Sequence, residues 1–118
     1  MADFSDDQQA TYDAFRDLVN MAPQELEDWL DTDESKSVGQ KDGGGESVGH
    51  RSGRRIVEIK RMNKDDLTDS DLDHMNEVVG YIKRHKAQVP SSDIAESDWR
   101  YSLMNWGHDP CKDSDVDC

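Results

Sequence analysis

Apolar residues three and four positions apart, set among acids, constrain this chain more than any other feature. Leu72, Met75, Val78, Val79 and Ile82 keep to one side of a 3.6-residue repeat. Tyr12, Phe15, Leu18 and Val19 form a second such stripe, and Leu26, Trp29 and Leu30 a third. Acids and other polar residues fill the positions between. A net charge of −13 with one third hydrophobic residues is also the composition of a disordered chain. Disorder has no need of helical spacing, so the expectation is a folded, mainly α protein. At 118 residues it is a single domain with a modest core.

In chain order the spacing predicts a compact bundle of about five helices. The first covers about 6–20, with Asp6 and Asp7 at the positive end of its dipole. The second starts at Pro23, where a missing N–H costs nothing, and ends near Thr32. Residues 33–53 follow as a long loop that carries Gly39, Gly43, Gly44, Gly45, Gly49 and Gly53. Loops of that length are usually functional or disordered. Ser52 is the expected cap of a third helix over 53–63, with Ile56, Val57, Ile59 and Met62 inward. Thr68 and Asp71 form a capping-box variant that opens the fourth helix, which runs to about Ala87. A fifth helix passes through Trp99, Leu103 and Trp106, with Gly107 as a left-handed terminator and Pro110 as a stop. The domain is drawn as 6–110, and 111–118 as a flexible acidic tail. Its two cysteines, Cys111 and Cys118, supply neither a disulfide framework nor a full metal-ligand set.

Charge singles out one segment. Residues 36–64 hold 8 of the 14 Lys and Arg and 3 of the 27 acids, a local charge of +5. The remaining residues therefore sum to −13 − 5 = −18. Of the 27 acids 20 are Asp, spread along the chain. In molar salt the Debye length falls to roughly 3 Å and such repulsion is screened, so a salt-loving source is expected. Within the positive segment, Arg51, Arg54, Arg55, Lys60 and Arg61 sit on or near a helix start. Guanidinium groups beside helical N–H groups are what phosphate needs. The leading expectation is a DNA contact through these five residues, with the glycine loop ordering on contact. The competing reading makes them internal counterweights to acids such as Glu25–Glu34 or Asp65–Asp73.

Other chemistry is thinner. Ser47, Gly49, His50, Ser52 and His108 are candidate loop or ligand residues, since both histidines follow a glycine in a predicted turn. His50 beside Ser47 or Ser52 is a conceivable nucleophile pair. No oxyanion arrangement accompanies it, and no catalytic residue is assigned. Asp69-Ser-Asp-Leu-Asp-His opens like a calcium loop but has His74 in place of the required Gly and Gly80 in place of the Glu. No metal or cofactor is expected. No 18-residue apolar run and no basic-then-apolar leader occurs. The expected setting is the cytoplasm, away from membranes.

Four strings carry a resemblance: NMAPQELEDWL at 20–30, SVGQ at 37–40, GESVGHRSGRRIVEI at 45–59 and WRYSLMNWGHDP at 99–110. They resemble a bacterial and archaeal family catalogued as domain of unknown function 3140, over roughly 11–110. The resemblance implies no catalytic residue. Some members carry a DNA-binding label, which the resemblance passes on as an expectation. Ala22 stands where the family pattern has a capping Ser or Thr. The Asp-rich composition is similar to a haloarchaeal version. The two functions carried forward are a DNA-binding protein and a non-catalytic protein-interaction module.

Overall fold

A computed structural model describes residues 4–38 and 47–112. Among them are six α-helices: α1 (Asp6–Leu18), α2 (Pro23–Leu30), α3 (Asp33–Ser37), α4 (Val48–Arg61), α5 (Asp69–Lys86) and α6 (Asp98–Asn105). Single 3₁₀ turns stand at Lys64–Asp66, Ile94–Glu96 and Pro110–Lys112. No strand occurs among the described residues, and the expected mainly α bundle is what the chain forms.

Local chemistry explains most boundaries. Ser5 and Gln8 exchange side-chain to backbone bonds and open α1 with a capping box. Thr68 and Asp71 do the same for α5. At α2 only half of that exchange exists. Glu25 accepts from the Ala22 N–H at 3.1 Å, but Ala22 has no oxygen to return the bond. Lys83, Arg84, His85 and Lys86 close α5 with the sign its dipole favours.

Helices α1 and α5 lie along each other, as do α2 and α4. α6 touches α2, α3, α4 and α5, so it ties the two pairs together. The stripes read from the sequence meet here: Phe15, Val19, Leu26, Leu30, Ile56, Leu72, Met75, Val78, Ile82 and Leu103 are all at most 5% exposed. Met62 is a correction. It lies beyond the last residue of α4 and is 37% exposed.

The segment expected as a loop over 33–53 also needs correcting. Thr32 caps a short helix, α3, by accepting from the Ser35 N–H. α4 then starts at Val48, five residues before the expected Gly53. Its cap is Ser47, whose Oγ accepts from the His50 N–H at 3.1 Å. Ser52 is thus inside the helix. Gly49 and Gly53 are helical, and their lack of a side chain lets α4 approach α6. A Cβ on Gly49 would lie 2.9 Å from Trp106 Nε1. One on Gly53 would overlap the Asn105 carbonyl oxygen and lie 2.7 Å from Leu30 Cδ2. These two glycines are packing residues, not hinges. Gly39, Gly43, Gly44 and Gly45 lie outside the described residues.

Gly107 does adopt the left-handed conformation, with φ of 84°. It wedges between α1 and α4, where a Cβ would meet Val19 Cγ1 at 2.7 Å. Pro110 opens a turn and does not end the ordered chain. Cys111 is disulfide-bonded. Lys112 reaches Asn20 O and pairs with Glu25 at 2.6 Å. The remainder of the expected tail, 113–118, lies outside the described residues.

Candidate functional site

The five cations expected to contact phosphate all belong to α4, but they do different things. Arg51 and Arg54 are exposed on its outward face. Arg55 bonds Ser70 Oγ at 2.9 Å and meets Asp71 at 3.4 Å. Arg61 pairs with Glu27 at 2.6 Å. Lys60 is half-buried, and its ammonium donates to Val19 O at 3.1 Å and Met21 O at 2.9 Å. Val19 is the C-cap of α1, whose carbonyl has no helical donor left to it, and Met21 lies in the link to α2. Lys60 is therefore a helix C-terminal cap with the favourable charge.

Side chains of Arg61 and Glu27 are each about half exposed. Pairs of that kind contribute roughly 0–1 kcal/mol, so they neither hold the fold nor lock the arginine. What matters is the company they keep. Arg54 and Arg61 line an open groove of about 500 Å³ between α2 and α4, together with Glu27, Asp28, Asp31 and Glu58. Lys36 and His50 stand at its edge, and Leu30 and Val57 form its floor. Four carboxylates thus face three permanent cations in one groove. The counterweight reading of the sequence accounts for Arg55 and Arg61; Lys60 is spent on backbone carbonyls instead.

The loop candidates are structural as well. His50 Nε2–H donates to Leu30 O at 2.6 Å and caps α2. His108 is 1% exposed, and its Nδ1–H donates to Leu18 O at 2.6 Å at the end of α1. The two histidines serve different helix ends. Ser52 Oγ lies 3.0 Å from His74 Nε2, so its described bond runs to α5 and not to His50. Ser47 caps α4 and Gly49 packs on Trp106.

Several polar residues that matter most were not singled out by sequence reasoning. Asn105, 1% exposed, accepts from Trp29 Nε1–H at 2.8 Å and from Ser35 Oγ–H at 2.5 Å. Its Nδ2 donates to Ser35 O at 3.1 Å. One side chain thereby fastens α2 and α3 to α6. Asn20 and Asp109 exchange bonds of 3.1 and 2.8 Å and close the chain between α1 and the last turn. Arg100 grips Asp109 with two bonds, at 3.1 and 3.2 Å. Trp99 Nε1–H caps α5 at His85 O, 2.6 Å away. The available signal was that these residues crowd into a few distinctive strings.

Shifted ionisations are scattered and follow local causes. Burial, then the repulsion of Arg16 and Lys112, lowers the Lys60 pKa against a smaller pull from Glu25. Burial, then Arg55, lowers that of His74. Burial lowers that of His85, with the Trp99 bond opposing it. Asp109 is raised by burial, but Arg100 and the Cys111 N–H outweigh that and hold it below the usual carboxylate range. Among the described residues no group of three or more His, Cys, Asp or Glu is placed to hold a metal. No described helix is long and apolar enough to cross a membrane.

The family model described as "Protein of unknown function (DUF3140)" matches residues 14–104. No curated protein and no solved structure matches the chain.

Proposed function

We propose that this chain, which belongs to the DUF3140 family, works as a non-catalytic protein-interaction module whose docking face is the groove between α2 and α4. The observation that carries this reading is the mixed charge of that groove. A phosphate backbone laid along Arg54 and Arg61 also meets Glu27, Asp28, Asp31 and Glu58. A polypeptide carrying both signs meets complementary partners for each. Complementary charge of this kind gives specificity and steering more than raw affinity.

A charge swap tests it. Arg54→Glu with Glu58→Lys keeps the net charge and the helix. The wild type, immobilised against nuclease-treated lysate from its own source, is expected to retain a defined protein partner. The swapped variant, unchanged by circular dichroism, is expected to lose it. Retention that disappears on nuclease treatment refutes the reading.

DNA contact stands as the second reading, supported by Arg51 and Arg54, which α4 leaves exposed one turn apart. High salt works against it, because affinity built on phosphate contacts falls steeply with salt. A salt-loving, cytoplasmic source remains part of the proposal on the strength of 20 Asp residues.

A further inference from the structure

Three cations on the other side of α4 bond neutral oxygens where others of the chain pair with acids. Lys36, Arg55, Arg61, Arg100 and Lys112 each have a carboxylate within 3.7 Å. Arg16, Lys60 and Lys64 instead bond neutral oxygens: Tyr12 Oη at 2.9 Å, two backbone carbonyls, and Gln9 Oε1 at 3.1 Å. Among the described residues none of the three makes an ion pair. They are close together. The Arg16 guanidinium lies 5.6 Å and the Lys64 ammonium 4.8 Å from the centre of the same Tyr12 ring. Repulsion from Arg16 is one of the causes that depress the Lys60 pKa. In a chain of net charge −13 this gathers three cations, with Glu25 exerting only a smaller pull on Lys60.

Beneath it is a cavity of about 130 Å³ between α1, α4 and α5. Tyr12, Arg16 and Lys60 form its mouth, and Phe15, Ile59 and Met75 its floor. All three floor residues are at most 4% exposed. Met62, the exposed methionine beyond α4, also lines it. Its thioether chain is flexible enough to fold over an occupant. Two of the three ammonium donors of Lys60 are spent on carbonyls and one remains. Arg16 spends one donor of five on Tyr12.

We propose that this cavity binds a small organic monocarboxylate with a compact apolar tail. The carboxylate sits between Arg16 and Lys60, and the tail lies on Phe15, Ile59 and Met75. At about 130 Å³ the cavity is slightly smaller than the roughly 150 Å³ that accommodates benzene, so with the carboxylate at the mouth the tail is at most a single ring or a branched short chain. An inorganic anion would leave the apolar floor unused. A neutral molecule would leave the two cations without a counter-charge.

Benzoate, benzamide and chloride at matched ionic strength separate these cases. With the methionine methyls labelled, NMR titration with benzoate is expected to move Met62 and Met75 in a saturable way. Benzamide is expected to bind at least about tenfold more weakly, as follows from losing a charged hydrogen bond of roughly 1.5–3 kcal/mol. Arg16→Gln should weaken benzoate by a similar factor. Arg16 is exposed and makes no backbone contact that the fold needs, so this variant folds where Lys60→Met would release the end of α1. Equal binding of benzamide, an unaltered Arg16→Gln, equal shifts with chloride, or no movement up to about 50 mM benzoate would each overturn the proposal. That last limit is far above the ~1 mM at which binding amounts to about 4 kcal/mol.

Discussion

Asn105→Ala is the sharpest test of how the fold is held. The substitution removes three hydrogen bonds with one side chain. Trp29 Nε1 is only half-buried, so water reaches it. The Ser35 hydroxyl and carbonyl are different, because Ser35 is 0% exposed. Each buried polar group left alone costs about 1–3 kcal/mol. Two such groups, partly relieved by rotation of the hydroxyl, give a loss of roughly 3 kcal/mol. For a domain of this size that lowers Tm by about 10–15 °C. Differential scanning calorimetry or a urea titration reads it directly. Adding Ser35→Ala removes one of the stranded groups. The double variant should therefore be less unstable than the sum of the singles, by about 1 kcal/mol. A Tm loss under about 3 °C for Asn105→Ala, or strict additivity, contradicts the role given to this hub.

Further outcomes follow from neighbouring features. Gly53→Ala gains about 1 kcal/mol of helix propensity but forces a methyl into the Asn105 carbonyl and Leu30. Net destabilisation of about 1–3 kcal/mol in chemical denaturation is expected; stabilisation would show that α4 and α6 are free to separate. The pKa values of His74 and His85 are lowered by burial, so the unfolded chain binds protons before the folded one does. Stability is therefore complete above the ordinary histidine value near 6.5 and falls as pH drops through the folded values. His85→Gln should reduce that fall in denaturation curves between about pH 7 and 5. Asp109 works at lower pH: its depressed pKa contributes stability above about 3.9 that is lost as pH falls through the folded value. Asp109→Asn should lower stability at neutral pH and flatten that acid limb.

How far the sequence spoke depended on the kind of residue. Periodic apolar side chains announced α1, α2, α5 and α6, because burial on one face repeats every 3.6 residues whatever the partner. Thr68 with Asp71 and Pro23 announced starts, since those caps act within one turn of chain. The start of α4 was misplaced because Gly49 and Gly53 carry two meanings. Glycine marks a loop by its freedom and a helix contact by its size, and only the presence of Trp106 and Asn105 opposite decides between them. Asn20, Ser35 and Asn105 were illegible for a related reason. Their partners lie 70–89 residues away in the chain, and a lone polar residue has no local period. The basic segment was visible as charge. Its sorting into a cap (Lys60), two balanced pairs (Arg55 and Arg61) and an outward remainder (Arg51 and Arg54) required the acids of α2 and α5 to be in place.

The most direct measurement is fluorescence anisotropy of a labelled DNA duplex titrated with this protein, across a salt series that begins at the lowest concentration at which circular dichroism reports it folded. A groove between α2 and α4 whose cations stand among carboxylates gives no saturable rise at any salt, and Arg51→Glu with Arg54→Glu changes nothing. Saturable binding that weakens steeply with salt, and that the double substitution abolishes without unfolding the helices, would contradict the account.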